Sequence, residues 1–140
     1  MQNYHNLIYR EEEREMHPYC DFAGIGLIPW SPLATGILAR PWSQLAATKR
    51  AQKNQYLSIM YQDEDKAIVD RLEEVSKKLG QSMASVAIAW SLKKGVNPIL
   101  GLNSVERIDE VVGAVRLELS EEDVKALEEP YKARAVARLW

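Results

Sequence analysis

Two short apolar segments, each bounded by turn-forming residues and followed by a polar turn, restrict the folds open to this chain. They are Gly-Ile-Gly-Leu-Ile-Pro-Trp at 24–30 and Gly-Val-Asn-Pro-Ile-Leu-Gly at 95–101. Apolar runs of this length between glycine and proline are typical of strands buried in a parallel sheet. Residues 1–7 alternate between apolar and polar side chains and predict a third strand at Met1 to Leu7.

Helix patterns fill much of the chain between and after these strands. Residues 66–79 place their apolar side chains on one face, and residues 82–94 are apolar nearly all round, which predicts a buried helix. Residues typical of helix ends accompany the patterns: Gly80 after the first helix, Ser82 before the second, Asn103 and Ser104 before a third, and Ser120 before a last helix that Pro130 ends.

Three further stretches have less regular patterns. Residues 10–20 predict a helix with a solvated face, formed by Glu11, Glu12, Glu13 and Glu15, in preference to an acid or base role for these glutamates. Residues 40–65 have no clear period and are predicted to be the loosest part of the chain. Residues 131–140 mix basic and apolar side chains; Arg134, Arg138 and Trp140 would suit a cover over a substrate, but the pattern favours a frayed terminal tail.

The order of elements is therefore strand, helix, strand, two helices, strand and two helices. Each connection between strands contains a helix, which predicts an α/β fold with parallel strands. A parallel sheet needs both faces covered and neighbours at both edges, so three strands form a poor sheet. We therefore expect the chain to be part of a larger α/β structure.

Composition excludes several classes of function. The formal net charge is -2 and basic residues are scattered among acidic ones, so no nucleic acid and no membrane is an expected partner. No stretch approaches the roughly 20 apolar residues of a membrane span. A single cysteine, Cys20, favours a reducing, cytoplasmic location. His17 precedes it at ordinary helical spacing, and the chain has few metal-binding residue types, so neither a catalytic pair nor a metal site is predicted.

Ligands of α/β proteins gather where loops follow the carboxyl ends of the strands. Residues 30–36 combine a flat aromatic ring, a serine hydroxyl and a glycine that permits close approach, which suits a nucleotide. Residues 101–107 place Arg107 in the first turn of a helix, which suits an anion such as phosphate. Such an arginine is more often part of a capped surface helix, so local chemistry leaves both interpretations open. The sequence has neither a GxGxxG motif nor a P-loop.

Taken together and in order, three segments carry a family resemblance: MQNYHNLIYREEEREMHPYC, GLIPWSPLATGILARPW and ASVAIAWSLKKGVNPILGLNSVERIDEVV. They resemble the carboxyl-terminal part of the aldo-keto reductase superfamily, in the branch of fungal polyketide reductases and bacterial deoxyxylulose-phosphate-forming reductases. The resemblance implies an α/β fold that is the carboxyl-terminal portion, strands six to eight with their helices, of a (β/α)8 TIM barrel. Residues 1–140 would form this partial barrel, with 131–140 as its tail. The family uses NADPH to reduce carbonyl compounds to alcohols.

The resemblance also assigns cofactor contacts to individual residues. Gln2 matches the glutamine that binds the nicotinamide carboxamide, and Trp30 matches the aromatic residue that stacks on the nicotinamide ring. The residues along the pyrophosphate are Ser31, Pro32, Leu33 and Gly36, those near the adenosine 2′-phosphate are Asn103 and Arg107, and Glu110 contacts the adenosine end. Two positions depart from the family pattern: Val111 replaces a common asparagine, and Asn103 replaces a common serine or threonine.

The resemblance implies no catalytic residue in this chain. The family's aspartate, tyrosine, lysine and histidine belong to the amino-terminal half of the barrel, and Tyr4 and His5 occupy the strand-six motif instead. We therefore expect a reductase fragment that binds NADP(H) and, when complete, a small-molecule carbonyl substrate. Two alternatives remain: a non-catalytic nucleotide- or partner-binding module whose partner chain completes the barrel, and a product that does not fold stably.

Overall fold

The computed structural model describes residues 1–47 and 62–136. The α-helices in these ranges, numbered in chain order, are α1 (Met16–Ala23), α2 (Lys66–Leu79), α3 (Met83–Lys93), α4 (Val105–Val115) and α5 (Glu121–Glu128). Short 3-10 helices span Glu11–Glu13, Ala34–Ala39, Trp42–Ala47 and Asp63–Asp65. No helix in these parts of the chain is long and apolar enough to cross a membrane.

The four helices predicted in the second half of the chain are confirmed: three begin after an expected serine cap, and α2 ends at the expected Gly80. Ser82, Ser104 and Ser120 each accept a hydrogen bond from a backbone N–H three residues later. The carboxylate of Asp123 in turn accepts a hydrogen bond from the backbone N–H of Ser120, which completes a capping box. Gly80 ends α2 with a left-handed φ of 62°, a conformation that favours glycine.

The main core lies between α2, α3 and α5. As predicted, α3 is buried nearly all round, and its Trp90 is fully buried. The buried residues that α2 contributes to this core are Ile68, Val69, Leu72 and Val75. In contrast, α4 packs on α3 and leaves several large apolar side chains exposed: Val105, Ile108, Val112 and Val115.

The prediction of three continuous strands is wrong, because the described residues contain only isolated β-bridges at these positions. The segments are nevertheless parallel neighbours, because single bridges join Tyr4 to Trp30 and Trp30 to Ile99. Backbone N–H groups of the second segment donate to the first, and those of the third donate to the second, over 2.8–2.9 Å. Pro29 supplies no N–H group that could donate to the third segment, which interrupts the regular ladder there.

The helix predicted over 10–20 is also partly wrong. Its first part is the 3-10 helix Glu11–Glu13, and α1 starts at Met16 and ends before Gly24. Glu11 is buried, which contradicts the predicted solvated face. It is buried because it accepts hydrogen bonds from Tyr131 and Arg134, which lie far away in the sequence.

The prediction of a frayed tail is wrong for its first residues. The hydroxyl of Tyr131 donates to Glu11 over 2.7 Å, and the Arg134 guanidinium donates to the carbonyl of Ile8 over 2.8 Å and to Asp65 over 3.1 Å. These contacts hold residues 131–134 against the amino-terminal segment. Residues 137–140, and most of the stretch 40–65 predicted to be loose, lie outside the described residues.

Candidate functional site

The parallel arrangement of the three segments brings two predicted ligand loops to one edge. Trp30 is paired with Tyr4 on one side and with Ile99 on the other. Because parallel segments end at the same edge, residues 31–36 and residues 101–107 leave the array on the same side. The structure therefore places the two phosphate-compatible stretches at neighbouring carboxyl ends.

The loop at 31–36 has an unusual backbone conformation. Ser31, Ala34 and Thr35 have φ values of 56°, 47° and 57°, in the left-handed region that residues with a Cβ disfavour. Gly36 follows with a φ of 106°, which a glycine adopts without strain. Backbone strain of this kind costs about 1–3 kcal/mol per residue and concentrates at binding and catalytic sites.

Hydrogen bonds within and beneath the loop maintain this conformation. The Ser31 hydroxyl accepts from the N–H of Thr35 over 3.0 Å, and the Ser31 carbonyl accepts from the N–H of Ala34 over 2.9 Å. The amide of Asn6 also donates to the Ser31 carbonyl, over 3.0 Å. The N–H groups of Ser31 and Leu33 donate to no described residue.

The indole of Trp30 is half-buried and lies against Tyr4. Their ring centroids are 4.6 Å apart with an interplanar angle of 34°, and Tyr4 contacts Tyr9 in the same way on its other side, at 4.9 Å. A stack of aromatic rings fixes the orientation of its outermost member. Trp30 therefore presents a ring in a defined position directly before the strained loop.

Helix α4 begins at the second loop. Its N-cap, Ser104, accepts from the N–H of Arg107 over 3.4 Å, and the side chains of Asn103 and Arg107 are exposed. An exposed arginine in the first turn, where the helix dipole is positive, provides a favourable position for a phosphate. Glu110 is also exposed and accepts a hydrogen bond from Ser82, which connects α4 to α3.

The remaining predicted contacts occupy the same part of the molecule. Gln2 is exposed, Pro32 is buried, and Leu33 packs against the main core. Trp30 to Gly36 form one contiguous stretch, and Gln2 lies on the neighbouring segment that pairs with it. Asn103, Arg107 and Glu110 belong to the adjacent helix.

A second polar cluster lies away from this edge, around the buried Trp90. Arg10 and Lys94 each form ion pairs with Glu13 and with Glu128, and the Trp90 indole donates to Glu128 over 2.9 Å. Burial alone would raise the pKa of Glu13, but hydrogen bonds from His5 and Arg10 lower it far below its ordinary value. The Glu13 and Glu128 carboxylates are thus paired groups that join the segments around α3.

The side chains of His17 and Cys20 are buried against neighbouring residues of the fold. Cys20 is buried against Leu27 and Val96, and His17 is within 3.0 Å of the Asn3 amide. Burial, and then the neighbouring His5, lower the pKa of His17 from 6.5 to about 4. Among residues 1–47 and 62–136, no group of three histidine, cysteine, aspartate or glutamate side chains could hold a metal ion.

The residues that support the loop were missed by the sequence analysis, which assigned no role to Tyr4 or Asn6. Tyr4 and Asn6 are both buried, and both contact the stretch that begins at Trp30. An asparagine followed by a tight turn was the one available signal, since asparagine side chains commonly bond to backbone groups two or three residues later.

Comparisons with known proteins are consistent with this architecture. The profile of the aldo/keto reductase family matches residues 1–132. The chain is 53% identical to versiconal hemiacetal acetate reductase of Aspergillus parasiticus over 97% of its own length and 41% of that protein. It is 54% identical to a putative aryl-alcohol dehydrogenase of Schizosaccharomyces pombe, over 94% of its length and 38% of the relative.

A solved structure supports the fold. A thermostable aldo-keto reductase crystallised with the inhibitor epalrestat matches with a TM-score of 0.63 and 23% identity, over 92% of this chain and 38% of that one. The chain thus spans about two fifths of the length of these relatives. The family profile covers nearly all of its residues, and the chain belongs to the aldo/keto reductase family.

Proposed function

We propose that this chain is the cofactor-binding part of an NADPH-dependent carbonyl reductase with a (β/α)8 barrel. The observation that carries the proposal is the loop at 31–36, which is held in a strained conformation directly after a positioned indole. Its two free N–H groups and the exposed Arg107 at the neighbouring helix start fit a dinucleotide with phosphates at both places.

The proposed contacts follow the cofactor from one end to the other. Gln2 binds the nicotinamide carboxamide and Trp30 stacks on the nicotinamide ring. The pyrophosphate lies along Ser31, Pro32, Leu33 and Gly36, where the backbone approaches closely because Gly36 has no side chain. Asn103 and Arg107 bind the 2′-phosphate, and Glu110 contacts the adenosine. A charged arginine at this position favours NADPH over NADH, which has no 2′-phosphate.

The substrate class follows from the relatives. Two relatives are named as a versiconal hemiacetal acetate reductase and a putative aryl-alcohol dehydrogenase, so we propose aldehydes and ketones, aromatic ones included, as substrates of the complete enzyme. NADPH supplies a hydride to such a carbonyl when bound. The oxygen then needs a proton from an acid that this chain does not provide. We place the reaction in the cytoplasm, where an unpaired cysteine such as Cys20 stays reduced.

Calorimetric titration of the purified chain with NADPH and with NADH tests this proposal. We expect NADPH to bind more tightly, and Arg107→Ala to weaken NADPH binding by roughly tenfold or more while leaving NADH binding unchanged, since one charge-assisted contact is lost. Arg116→Ala is the matched control, because Arg116 is exposed at the opposite end of the same helix and should leave both affinities unchanged.

Two results would overturn the proposal. One is a wild-type chain that folds and binds neither nucleotide, and the other is an Arg107 variant that loses affinity for both nucleotides equally. With NADPH and an aromatic aldehyde, the chain alone should show no turnover, because the proton donor is absent. Robust turnover would refute the assignment of the acid to the remainder of the barrel.

A non-catalytic module is the second candidate, and the exposed apolar side chains favour it. Val105, Ile108, Val112 and Val115 on α4 leave a large apolar surface to solvent. Surfaces of this kind commonly mark contacts with another chain. In this alternative, a partner chain covers α4 and completes the barrel. Size-exclusion chromatography with light scattering decides, because a stable monomer contradicts the need for a partner.

A further inference from the structure

Asn6 occupies a position at which every polar atom of its side chain is engaged. It is fully buried, and its Oδ1 accepts hydrogen bonds from the N–H groups of Ile8 and Tyr9, both over 3.1 Å. Its Nδ2 donates to the carbonyl of Ser31 over 3.0 Å. The two halves of one amide therefore join the turn at 6–9 to the first residue of the strained loop.

The loop requires a restraint of this kind. Its internal hydrogen bonds connect Ser31 only to Ala34 and Thr35, which are themselves strained residues of the same loop. A strained conformation persists when surrounding groups hold it. Among the described residues, the side chain of Asn6 donates a hydrogen bond to Ser31 from outside the loop. Because Asn6 is fully buried, water does not compete for this hydrogen bond.

We propose that Asn6 is a positioning residue for the cofactor. By holding the Ser31 carbonyl, it keeps the loop at 31–36 in its strained conformation and the Trp30 ring in place for the nicotinamide end. Asn6 itself does not touch the cofactor. The inference rests on the proposed function for the identity of the ligand, while the restraint on the loop is independent of any ligand.

The structure allows the two halves of the amide to be separated. Asn6→Asp preserves the size of the side chain and the acceptor oxygen that binds the turn at 6–9, but it removes the N–H donor to Ser31. Asn3→Asp is the matched control. Asn3 is also buried on the first segment, and its amide contacts His17 instead of the loop.

Three measurements on the full chain test the inference. Calorimetry with NADP⁺ should show roughly tenfold weaker binding for Asn6→Asp and wild-type binding for Asn3→Asp. Amide hydrogen exchange by NMR should become faster at Ala34, Thr35 and Gly36 in Asn6→Asp alone, with α3 amides unchanged. Burial beside the Ser31 carbonyl should raise the pKa of the carboxyl group in Asn6→Asp, so lowering the pH from about 8 to about 5.5 should partly restore binding relative to wild type, because the protonated group can again donate to Ser31.

The outcomes distinguish this inference from the proposed function. If the wild-type chain binds NADP⁺ and Asn6→Asp binds equally well, Asn6 does not position the loop and the proposed function stands. If the wild-type chain binds no nucleotide, the proposed function fails. In that case, faster exchange at 34–36 still supports the restraint on the loop, and unchanged exchange overturns it. Equal effects of the two Asp variants on binding also overturn the inference.

Discussion

Trp90 and Trp30 lie in opposite surroundings. Trp90 is fully buried on α3, its ring stacks on His5 at 5.2 Å, the Arg10 guanidinium lies 5.6 Å from its centroid, and its N–H donates to Glu128. Trp30 is half-buried, contacts Tyr4, and precedes a loop with three non-glycine residues in the left-handed region. One indole is surrounded by satisfied contacts, and the other is held in place with part of its surface open.

This difference separates stability from binding. Around Trp90, apolar packing and paired charges both stabilise the fold. Removal of the indole leaves a cavity, and removal of a charged side chain leaves its partner buried and unpaired. At the edge around Trp30, the side chains proposed to contact a ligand, Gln2, Asn103, Arg107 and Glu110, are exposed and contribute little to folding. We therefore expect substitutions near Trp90 to change the free energy of unfolding, and substitutions near Trp30 to change affinity.

The largest expected effect is that of Trp90→Ala. Loss of a fully buried indole should lower the free energy of unfolding by about 3–5 kcal/mol, measured by urea denaturation. Trp90→Phe, which keeps an aromatic ring but loses the bond to Glu128, should cost about 1–2 kcal/mol. Folded Trp90→Phe should bind NADPH as wild type does. If Trp90→Ala lowered the free energy of unfolding by less than about 1 kcal/mol, the region around Trp90 would not be the more important one for stability.

Trp30→Ala should produce the converse result. NADPH affinity should fall by roughly tenfold, because a stacking surface for the nicotinamide ring is lost. The free energy of unfolding should fall by less than it does in Trp90→Ala, because Trp30 is only partly buried and its removal leaves a smaller cavity. Calorimetry and urea denaturation of the same samples give both numbers, and Trp30→Phe should retain most of the affinity. A variant as unstable as Trp90→Ala would show that the two regions are not separate.

The smallest expected effect concerns pH. The pKa of His17 is lowered from 6.5 to about 4 in the folded chain. Between these values the unfolded chain binds a proton that the folded chain does not, so stability should fall as the pH falls through this range. Glu13, whose pKa is lowered from 4.5, adds a further loss only as the pH falls below that value.

His17→Gln isolates this contribution. The variant should show a flatter dependence of unfolding free energy on pH between 6.5 and 4.5, where His17 titrates in the unfolded chain and Glu13 does not. Chemical denaturation at a series of pH values provides the measurement. The same slope in wild type and variant would assign the pH dependence to another group.

Helix ends could be predicted from the sequence because their causes are local. Ser82, Ser104 and Ser120 bond to backbone groups three residues away, and Gly80 adopts its own left-handed conformation, so no distant contact is needed. The buried character of α3 was equally visible, because its apolar residues leave no polar face. The stretch at 30–36 could be proposed as a ligand loop from its residue types, and the family could be recognised from the order of its motifs.

Burial of charges and the order of the tail were decided by the tertiary structure. The local sequence suggests that Glu11 is exposed, but Tyr131 and Arg134, about 120 positions later in the sequence, donate hydrogen bonds to it. The same holds for Asn6, whose role depends on a carbonyl 25 residues away, and for the strands, which are reduced to single bridges.

The sequence by itself therefore determined the four helices of the second half of the chain, their serine caps and the stop at Gly80, the family and the candidate contact residues, since propensity, capping and motif spacing act over a few neighbouring residues. Only the tertiary structure decided which glutamates are buried, where residues 131–134 lie, and how the loop at 31–36 is strained and supported. Those features arise when distant segments exchange hydrogen bonds in a site that water cannot enter, and no local pattern records which segments will meet.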